Sequence, residues 1–282
     1  MKSPSTPSKT ARSSRNAFSI DGRRLPPICP QPAFEALCRH DIKSGRQNRF
    51  ASMRTLAWAA CFLLALAPGP AVAETAAING VSLHYTVRGQ GEPLLLLHGF
   101  GSCAAAWDSI ARELAKAHRV ITLDARGHGQ STNPTGVFSH AAAAEDVHAL
   151  MDQLGIKTAR AIGFSSGGMT LLHLATRHPD RVSKMVVIGA TTHFPDQARA
   201  IMQTSTVDTV PPEVVAEFRQ CASRGEEQVR SLLGQFRALG FSQDDMNFQP
   251  AGLAKIKART LIVHGDRDPF FPVAIPVSLY QS

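Results

Sequence analysis

Gly163, Ser165 and Gly167 form the pattern G-x-S-x-G near the middle of the chain. A serine at a sharp strand-to-helix corner points its hydroxyl away from the sheet, and its crowded backbone requires neighbours without a Cβ. A helix that begins directly after the serine aims its first N–H groups at the same place and favours negative charge there. The pattern therefore predicts a hydroxyl nucleophile beside an anion-stabilising helix end.

The flanking sequence supplies the strand and the helix that such a corner needs. A short apolar strand is predicted from Ala159 to Gly163, and a helix from Ser166 to about His178. Glycine and serine also fall together in ordinary loops, so the five-residue pattern alone is a weak indication. The strand before it and the helix after it favour a nucleophile turn over a simple loop.

Further strands and helices alternate along the chain, which predicts a mostly parallel sheet with helices on both faces. The other predicted strands are 81–88, 94–97, 119–123, 182–188 and 260–264, and the other predicted helices are 104–117 and 140–154. Residues 191–254 show no strand pattern and two amphipathic helices, which we interpret as a helical lid. Its large apolar side chains are candidates to line an apolar pocket, but for each one singly we expect that it packs the lid onto the core; they are Met202, Phe218, Phe236, Phe241, Met246 and Phe248.

The formal net charge of +8 lies entirely in the N-terminal part of the chain. Residues 1–52 hold 10 Lys/Arg and 3 Asp/Glu, whereas residues 74–282 hold 19 of each sign. The globular part therefore has no net positive charge to attract a phosphate backbone, and we expect no nucleic-acid partner.

The N-terminus contains two segments of different character. Residues 1–52 have the composition of a disordered tail. Residues 53–73 resemble a secretory signal peptide, with a positive start, a 12-residue apolar run and the sequence Ala71-Val72-Ala73 before the expected cleavage site. The apolar run is too short for a stable membrane span. We expect export to the periplasm or medium if Met53 is the true initiator and 1–52 an over-extended gene start; the alternative is a genuine basic tail.

Two of the five cysteines, Cys103 and Cys221, follow the predicted cleavage site. Two cysteines in an exported protein can pair, but their proximity does not follow from the sequence. We expect two unpaired, partly buried thiols.

Four motifs occur in a fixed order after residue 97. They are His98-Gly99-Phe100-Gly101, Asp124-x-Arg126-Gly127-His128-Gly129, Gly163-x-Ser165-x-Gly167 and His264-Gly265-x-x-Asp268. Together they resemble the α/β-hydrolase superfamily, in its lidded serine esterase-like branch. The resemblance implies a doubly wound α/β-hydrolase core at 74–190 and 255–282, interrupted by the lid at 191–254.

The resemblance also implies a role for each motif residue. Ser165 matches the nucleophile, Asp268 the triad acid, and the backbone N–H groups of Phe100 and Ser166 the oxyanion hole. Asp266 is an alternative acid that better fits a turn. The residues that match structural positions of the motifs are His98, Gly99, Asp124, His128, Gly163 and Gly167. A serine nucleophile argues against haloalkane or epoxide chemistry, and no cofactor or metal is expected.

The triad histidine of this fold follows the acid in chain order. The last of the 11 histidines is His264, and the 14 residues after Asp268 include none. We therefore expect a C-terminally truncated chain that lacks the last strand and the general base; His193 is a weak substitute. Two hypotheses remain open: a serine hydrolase of carboxylic esters with an apolar part, and a non-catalytic ligand-binding member of the same fold.

Overall fold

The computed structural model describes residues 72–282, which form a seven-stranded sheet flanked by helices. The strands are β1 Val72–Ile78, β2 Val81–Arg88, β3 Glu92–Leu97, β4 His118–Leu123, β5 Ala159–Phe164, β6 Val182–Ile188 and β7 Arg259–Val263. The helices are α1 Asp108–Leu114, α2 His140–Gln153, α3 Ser166–Arg177, α4 Asp196–Thr204, α5 Pro212–Cys221, α6 Gly225–Phe241, α7 Pro250–Leu253 and α8 Ala274–Gln281, with a 3₁₀ helix at Ala104–Trp107. The predicted tail at 1–52 and nearly all of the predicted signal peptide at 53–73 lie outside the described residues.

The strands lie in the order β1-β2-β4-β3-β5-β6-β7. β2 pairs antiparallel with β1 and with β4, and the pairs from β4 through β3, β5 and β6 to β7 are parallel. Parallel neighbours require long crossover connections, and helices occupy those connections here. The prediction of a mostly parallel, doubly wound sheet is confirmed.

Helices cover both faces of the sheet because successive strand residues point to opposite sides. Leu95 and Leu97 belong to the larger core, which includes the buried sides of α2 and α3. Leu94 and Leu96 face the other way and pack with Trp107 and the α1 region in a smaller cluster. β3 is therefore buried on both faces, as its uninterrupted run of leucines predicts.

The register of the parallel strands brings their carboxyl ends to one edge of the sheet. Leu97 of β3 is level with Gly163 of β5, and Ile188 of β6 is level with Val263 of β7. The loops after β3, β5 and β7 therefore leave the sheet close together. In open parallel sheets, ligands bind at this edge.

Three features differ from the sequence-based expectations. β1 was not predicted, yet it pairs with β2 from Val72 to Ile78, and a cleavage after Ala73 would remove its first two residues. The helix expected at 104–117 is a 3₁₀ helix followed by α1, which ends at Leu114 because β4 begins only four residues later. Residues 191–254 also contain α4 and the single-turn α7, whose apolar patterns are too short to stand out.

None of the helices within 72–282 combines the length and the apolar composition that a membrane crossing requires.

Candidate active site

Ser165 occupies the corner between β5 and α3 with a left-handed backbone, φ 50° and ψ −116°. Residues with a Cβ rarely adopt this backbone conformation, so contacts with the rest of the fold must hold it in place. The backbone N–H of Ser165 donates a 2.7 Å hydrogen bond to the carbonyl of Ile188 at the end of β6. This hydrogen bond holds the strained backbone of Ser165 against β6, and the Ser165 side chain is half-buried.

Gly163 and Gly167 are glycines because backbone atoms fill the space where a Cβ would lie. A Cβ on Gly163 would come within 2.5 Å of the Gly167 carbonyl, and one on Gly167 would come within 2.2 Å of the Leu97 carbonyl. Rigid backbone cannot yield as the end of a side chain can. The spacing in the sequence is thus a direct consequence of the close approach between β3, β5 and the first turn of α3.

Phe100 lies in the loop after β3, and its ring belongs to an aromatic cluster. The ring centroid is 4.7 Å from that of His128, 5.2 Å from Phe138 and 5.3 Å from Phe236 of α6. Contacts on several sides fix the loop that carries the Phe100 backbone N–H. The other N–H assigned to the oxyanion hole belongs to Ser166, the first residue of α3, where helical N–H groups have no partner within the helix.

Asp268 follows β7, and one of its carboxylate oxygens is held by the backbone. Oδ1 accepts hydrogen bonds from the N–H groups of Phe270 at 2.8 Å and Phe271 at 3.0 Å. Oδ2 lies 3.8 Å from Nε2 of His264, which instead bonds the Phe271 carbonyl at 2.7 Å. Oδ2 is therefore available to an imidazole N–H. The alternative acid, Asp266, is exposed.

A cavity of about 320 Å³ joins these groups. Ser165, Ser166 and Asp268 lie on its wall with Phe100, and the remaining lining is mostly apolar. Of the six large apolar side chains singled out in 191–254, Met202 and Phe236 line this cavity, whereas Phe218 contacts the loop at Gly101 and Met246 is buried in the core. Phe241 is exposed and Phe248 packs on His173.

The residues expected to be structural make hydrogen bonds that tie loops together. His98 accepts a 3.0 Å bond from the N–H of Ala125, and Asp124 accepts bonds from the N–H groups of Ala104 at 2.7 Å and Gln130 at 2.9 Å. Burial, with a smaller contribution from the nearby His98, lowers the pKa of His128 to about 3, so its ring is neutral near pH 7. These contacts bring the loops after β3 and β4 together.

One polar cluster beside Ser165 was not expected from the sequence. His140 begins α2 and lines the cavity; its Nδ1 forms a short hydrogen bond with Asp245 and its Nε2 lies 3.0 Å from the Ser166 hydroxyl. His140 and Asp245 are 105 residues apart, so no local spacing signals the pair. His193, the substitute base considered from the sequence, is exposed and is not part of the cavity wall.

Cys103 and Cys221 form a disulfide with a Cα–Cα distance of 5.5 Å. The prediction of two unpaired thiols is wrong. Cys103 follows the Phe100 loop and Cys221 ends α5, and the fold brings these distant segments together across 118 residues. The bond joins the loop after β3 to α5 in the helical segment 191–254.

Glu145, His148 and His178 bring ligand atoms within 4.8 Å of one another on the outer side of α2 and α3. Two guanidinium groups already occupy this cluster. Arg181 Nη1 lies 2.5 Å from His148 Nε2, and Arg177 pairs with Glu145 at 3.3 Å. Because these positive charges would oppose a cation, the cluster fits a metal ion poorly.

Comparisons with known proteins agree with this architecture. A family model described as alpha/beta hydrolase fold matches residues 92–210. The chain is 32% identical over 146 residues to a pimeloyl-[acyl-carrier protein] methyl ester esterase of Vibrio cholerae, which covers 51% of the chain and 55% of that protein. The chain thus spans about half the length of this relative.

Two longer matches extend across most of the described residues. The chain is 32% identical over 209 residues to serine hydrolase BPHL of Homo sapiens, covering 70% of each protein. The solved enol-lactonase from Burkholderia xenovorans LB400 superposes with a TM-score of 0.59 at 25% identity, covering 74% of this chain and 87% of that one. With its strained serine corner and its parallel sheet, the chain belongs to the α/β-hydrolase superfamily, and its named relatives are hydrolases.

Proposed function

We propose that this protein hydrolyses carboxylic esters through an acyl-enzyme formed on Ser165. The observation that carries the proposal is the position of Ser165, at a strained corner on the wall of an apolar cavity that it shares with Asp268 and Phe100. A hydrolase needs a held hydroxyl, donors for the developing oxyanion and an acid that orients the base. The hydroxyl of Ser165 and the carboxylate of Asp268 lie on the cavity wall. The loop that carries Phe100 supplies one N–H donor.

The proposed reaction assigns one task to each group. Ser165 Oγ attacks the ester carbonyl carbon, and the N–H groups of Phe100 and Ser166 stabilise the negative oxygen; one such donor is typically worth about 10²–10³ in rate. The ester C–O bond breaks, the alcohol leaves with the hydroxyl proton, and water then releases the acid. Asp268 Oδ2 would orient a histidine that takes the proton from Ser165, but within residues 72–282 no histidine is hydrogen-bonded to Ser165 Oγ.

The cavity supports an ester with an apolar part. Its walls carry Met169, Phe194, Met202, Leu239 and Phe270, and its volume of about 320 Å³ suits a small organic group. Two similar proteins also support ester chemistry, since one is a methyl ester esterase and the other an enol-lactonase.

We also propose that the mature protein is exported, with a signal peptide at 53–73. The Cys103–Cys221 disulfide supports this proposal, because disulfides persist in oxidising compartments and are rare in the cytosol. N-terminal sequencing of the native protein tests it. A terminus at or near Glu74 agrees with export, and an intact Met1 contradicts it.

Hydrolysis of p-nitrophenyl esters of increasing acyl length tests the activity. We expect turnover of the wild-type protein and a clear loss in both Ser165→Ala and Asp268→Asn, and the loss in Ser165→Ala reaches about 10³-fold only if a histidine serves Ser165 as base. Ser183→Ala is the matched control, because Ser183 lies in β6 and bonds the Ala159 carbonyl away from the cavity. Turnover that is as fast in Ser165→Ala as in the wild type contradicts the assigned nucleophile. A folded wild-type protein that hydrolyses none of the esters but binds them favours the ligand-binding alternative.

A further inference from the structure

Ser166, His140 and Asp245 form a chain of hydrogen bonds beside Ser165. Asp245 Oδ1 accepts the backbone N–H of His140 at 2.8 Å, and Oδ2 forms the short bond with Nδ1 of the same residue. On the other side of the ring, Nε2 lies 3.0 Å from Ser166 Oγ. All three residues are buried, and both His140 and Ser166 reach the wall of the cavity that contains Ser165.

The hydrogen-bond partners determine which ring nitrogen carries the proton. A carboxylate only accepts hydrogen bonds, so Nδ1 of His140 must be the donor to Asp245. The neutral ring then has its lone pair on Nε2, and the Ser166 hydroxyl is the donor to that nitrogen. This is the arrangement of a nucleophile, a base and a group that orients the base.

Asp245 is held in its ionised form. Burial alone would raise the pKa of this carboxyl, but the hydrogen bonds from His140 lower it below the ordinary value. The segment itself is fixed, because the Asp245 carbonyl accepts a 2.7 Å bond from Nε2 of His173. Rings of Phe138 and Phe194 pack around His140, with centroids 5.2 and 6.2 Å away. They cover the pair with apolar groups, where the attraction between a carboxylate and an imidazolium is strong.

We propose that Ser166 is a second nucleophile of this cavity, with His140 as its base and Asp245 as the residue that orients the base. This inference goes beyond the proposed function, in which Ser166 contributes only its backbone N–H. Within the described residues, Ser166 has a histidine hydrogen-bonded to its hydroxyl and Ser165 has none. The electrophiles are those that suit the cavity, which are carbonyl carbons of esters with an apolar part.

The proposed reaction needs only the ester and water. Ser166 Oγ forms a bond to the carbonyl carbon while its proton passes to Nε2 of His140. When the ester C–O bond breaks, the imidazolium returns that proton to the leaving alcohol oxygen. A water molecule then repeats the sequence and frees the acid. Asp245 stays ionised throughout and stabilises the positive ring.

An alkyl fluorophosphonate is the probe, because it bonds covalently to a reactive serine and releases fluoride. The full chain is treated as wild type, Ser165→Ala, Ser166→Ala and the double variant, and fragment-ion sequencing of the labelled peptide separates the two adjacent serines. We expect Ser165→Ala to remain labelled, at Ser166, and the double variant to be unlabelled. Urea unfolding curves show that each variant is folded.

The variant Asp245→Asn tests whether His140 acts as a base or only makes a structural contact with Ser166. The new amide can donate a hydrogen bond to Nδ1, which keeps a bond but forces the proton onto Nε2, so that the ring no longer accepts from Ser166. We expect labelling of Ser166 in the Ser165→Ala background to slow by about 10⁴-fold, as in a serine protease with this change. A fall of less than about tenfold overturns the role of His140 as a base.

The outcomes separate this inference from the proposed function. A folded Ser165→Ala variant that takes no label, or takes it at another residue, overturns the second nucleophile even if wild type is labelled at Ser165. A label found at Ser166 alone in wild type supports the inference and contradicts the assigned role of Ser165. Labelling at neither serine contradicts both.

Discussion

The disulfide between Cys103 and Cys221 makes a quantitative prediction about stability. A covalent link removes conformations from the unfolded chain, and the entropy lost increases with the length of the loop that it closes. The loop here spans 118 residues, for which the chain-entropy relation gives about 5 kcal/mol at 25 °C. This is comparable to the entire unfolding free energy of many domains, which is about 5–15 kcal/mol.

Equilibrium urea unfolding measures this contribution. The oxidised wild type is compared with the reduced wild type and with the double variant Cys103→Ser, Cys221→Ser, each at the same protein concentration. We expect both chains that lack the bond to lose up to about 5 kcal/mol of unfolding free energy and to agree with each other within about 1 kcal/mol. A reductant should not change the double variant.

Two results would refute this reasoning. Peptide mapping without reductant that finds no linked pair containing Cys103 and Cys221 contradicts the disulfide itself. A linked protein whose unfolding free energy exceeds that of the double variant by less than about 1 kcal/mol contradicts the entropic argument. In that case the unfolded chain would already hold these segments together.

Three further predictions use the same unfolding assay. Gly167→Ala should destabilise the protein by about 1–3 kcal/mol or more because its Cβ meets backbone 2.2 Å away, whereas Gly234→Ala, with open space in α6, should stabilise it by up to about 1 kcal/mol. Asp146→Ala should cost about 3–5 kcal/mol because the guanidinium of Arg126, whose side chain is only 11% exposed, loses its carboxylate partner, whereas Asp180→Ala at an exposed ion pair should cost less than about 1 kcal/mol. Burial lowers the pKa of His173 to about 4 from 6.5, so only the unfolded chain gains its proton between these values. Stability should therefore fall as the pH drops from 6.5 to about 4, by about 1.4 kcal/mol per pH unit for this residue.

Each of these predictions has a contrary result. Equal effects of alanine at Gly167 and Gly234 would mean that the corner relaxes around a methyl group. Equal effects at Asp146 and Asp180 would mean that burial does not matter for these ion pairs. If His173→Gln leaves the pH dependence of stability unchanged, the histidine titrates alike in the folded and unfolded chains.

The local parts of the candidate site could be predicted from the sequence because they depend on neighbours along the chain. The corner at Ser165 needs small residues two positions away, and these are visible as Gly163 and Gly167. The alternation of apolar strands and amphipathic helices likewise follows from local periodicity. For the same reason, the positions of β3, β5 and β6 differ from the expectations by two residues at most.

The contacts that join distant segments could not be predicted in this way. Cys103 and Cys221 lie 118 residues apart, and His140 and Asp245 lie 105 apart. Whether such pairs meet depends on crossing angles and on the path of the helical insertion, which no short pattern encodes. The sequence-based preference for free thiols was wrong for this reason.

The sequence by itself determined the chemistry available at the strand ends: a serine hydroxyl, a carboxylate and backbone donors in a fixed order. Only the tertiary structure decided which histidine lies beside that chemistry. The register of the parallel strands brings Ser165 and Asp268 to one cavity, and the packing of the 191–254 segment against α2 places Asp245 on His140. Short-range sterics are encoded in adjacent residues, whereas long-range hydrogen bonds arise only when the whole core has packed.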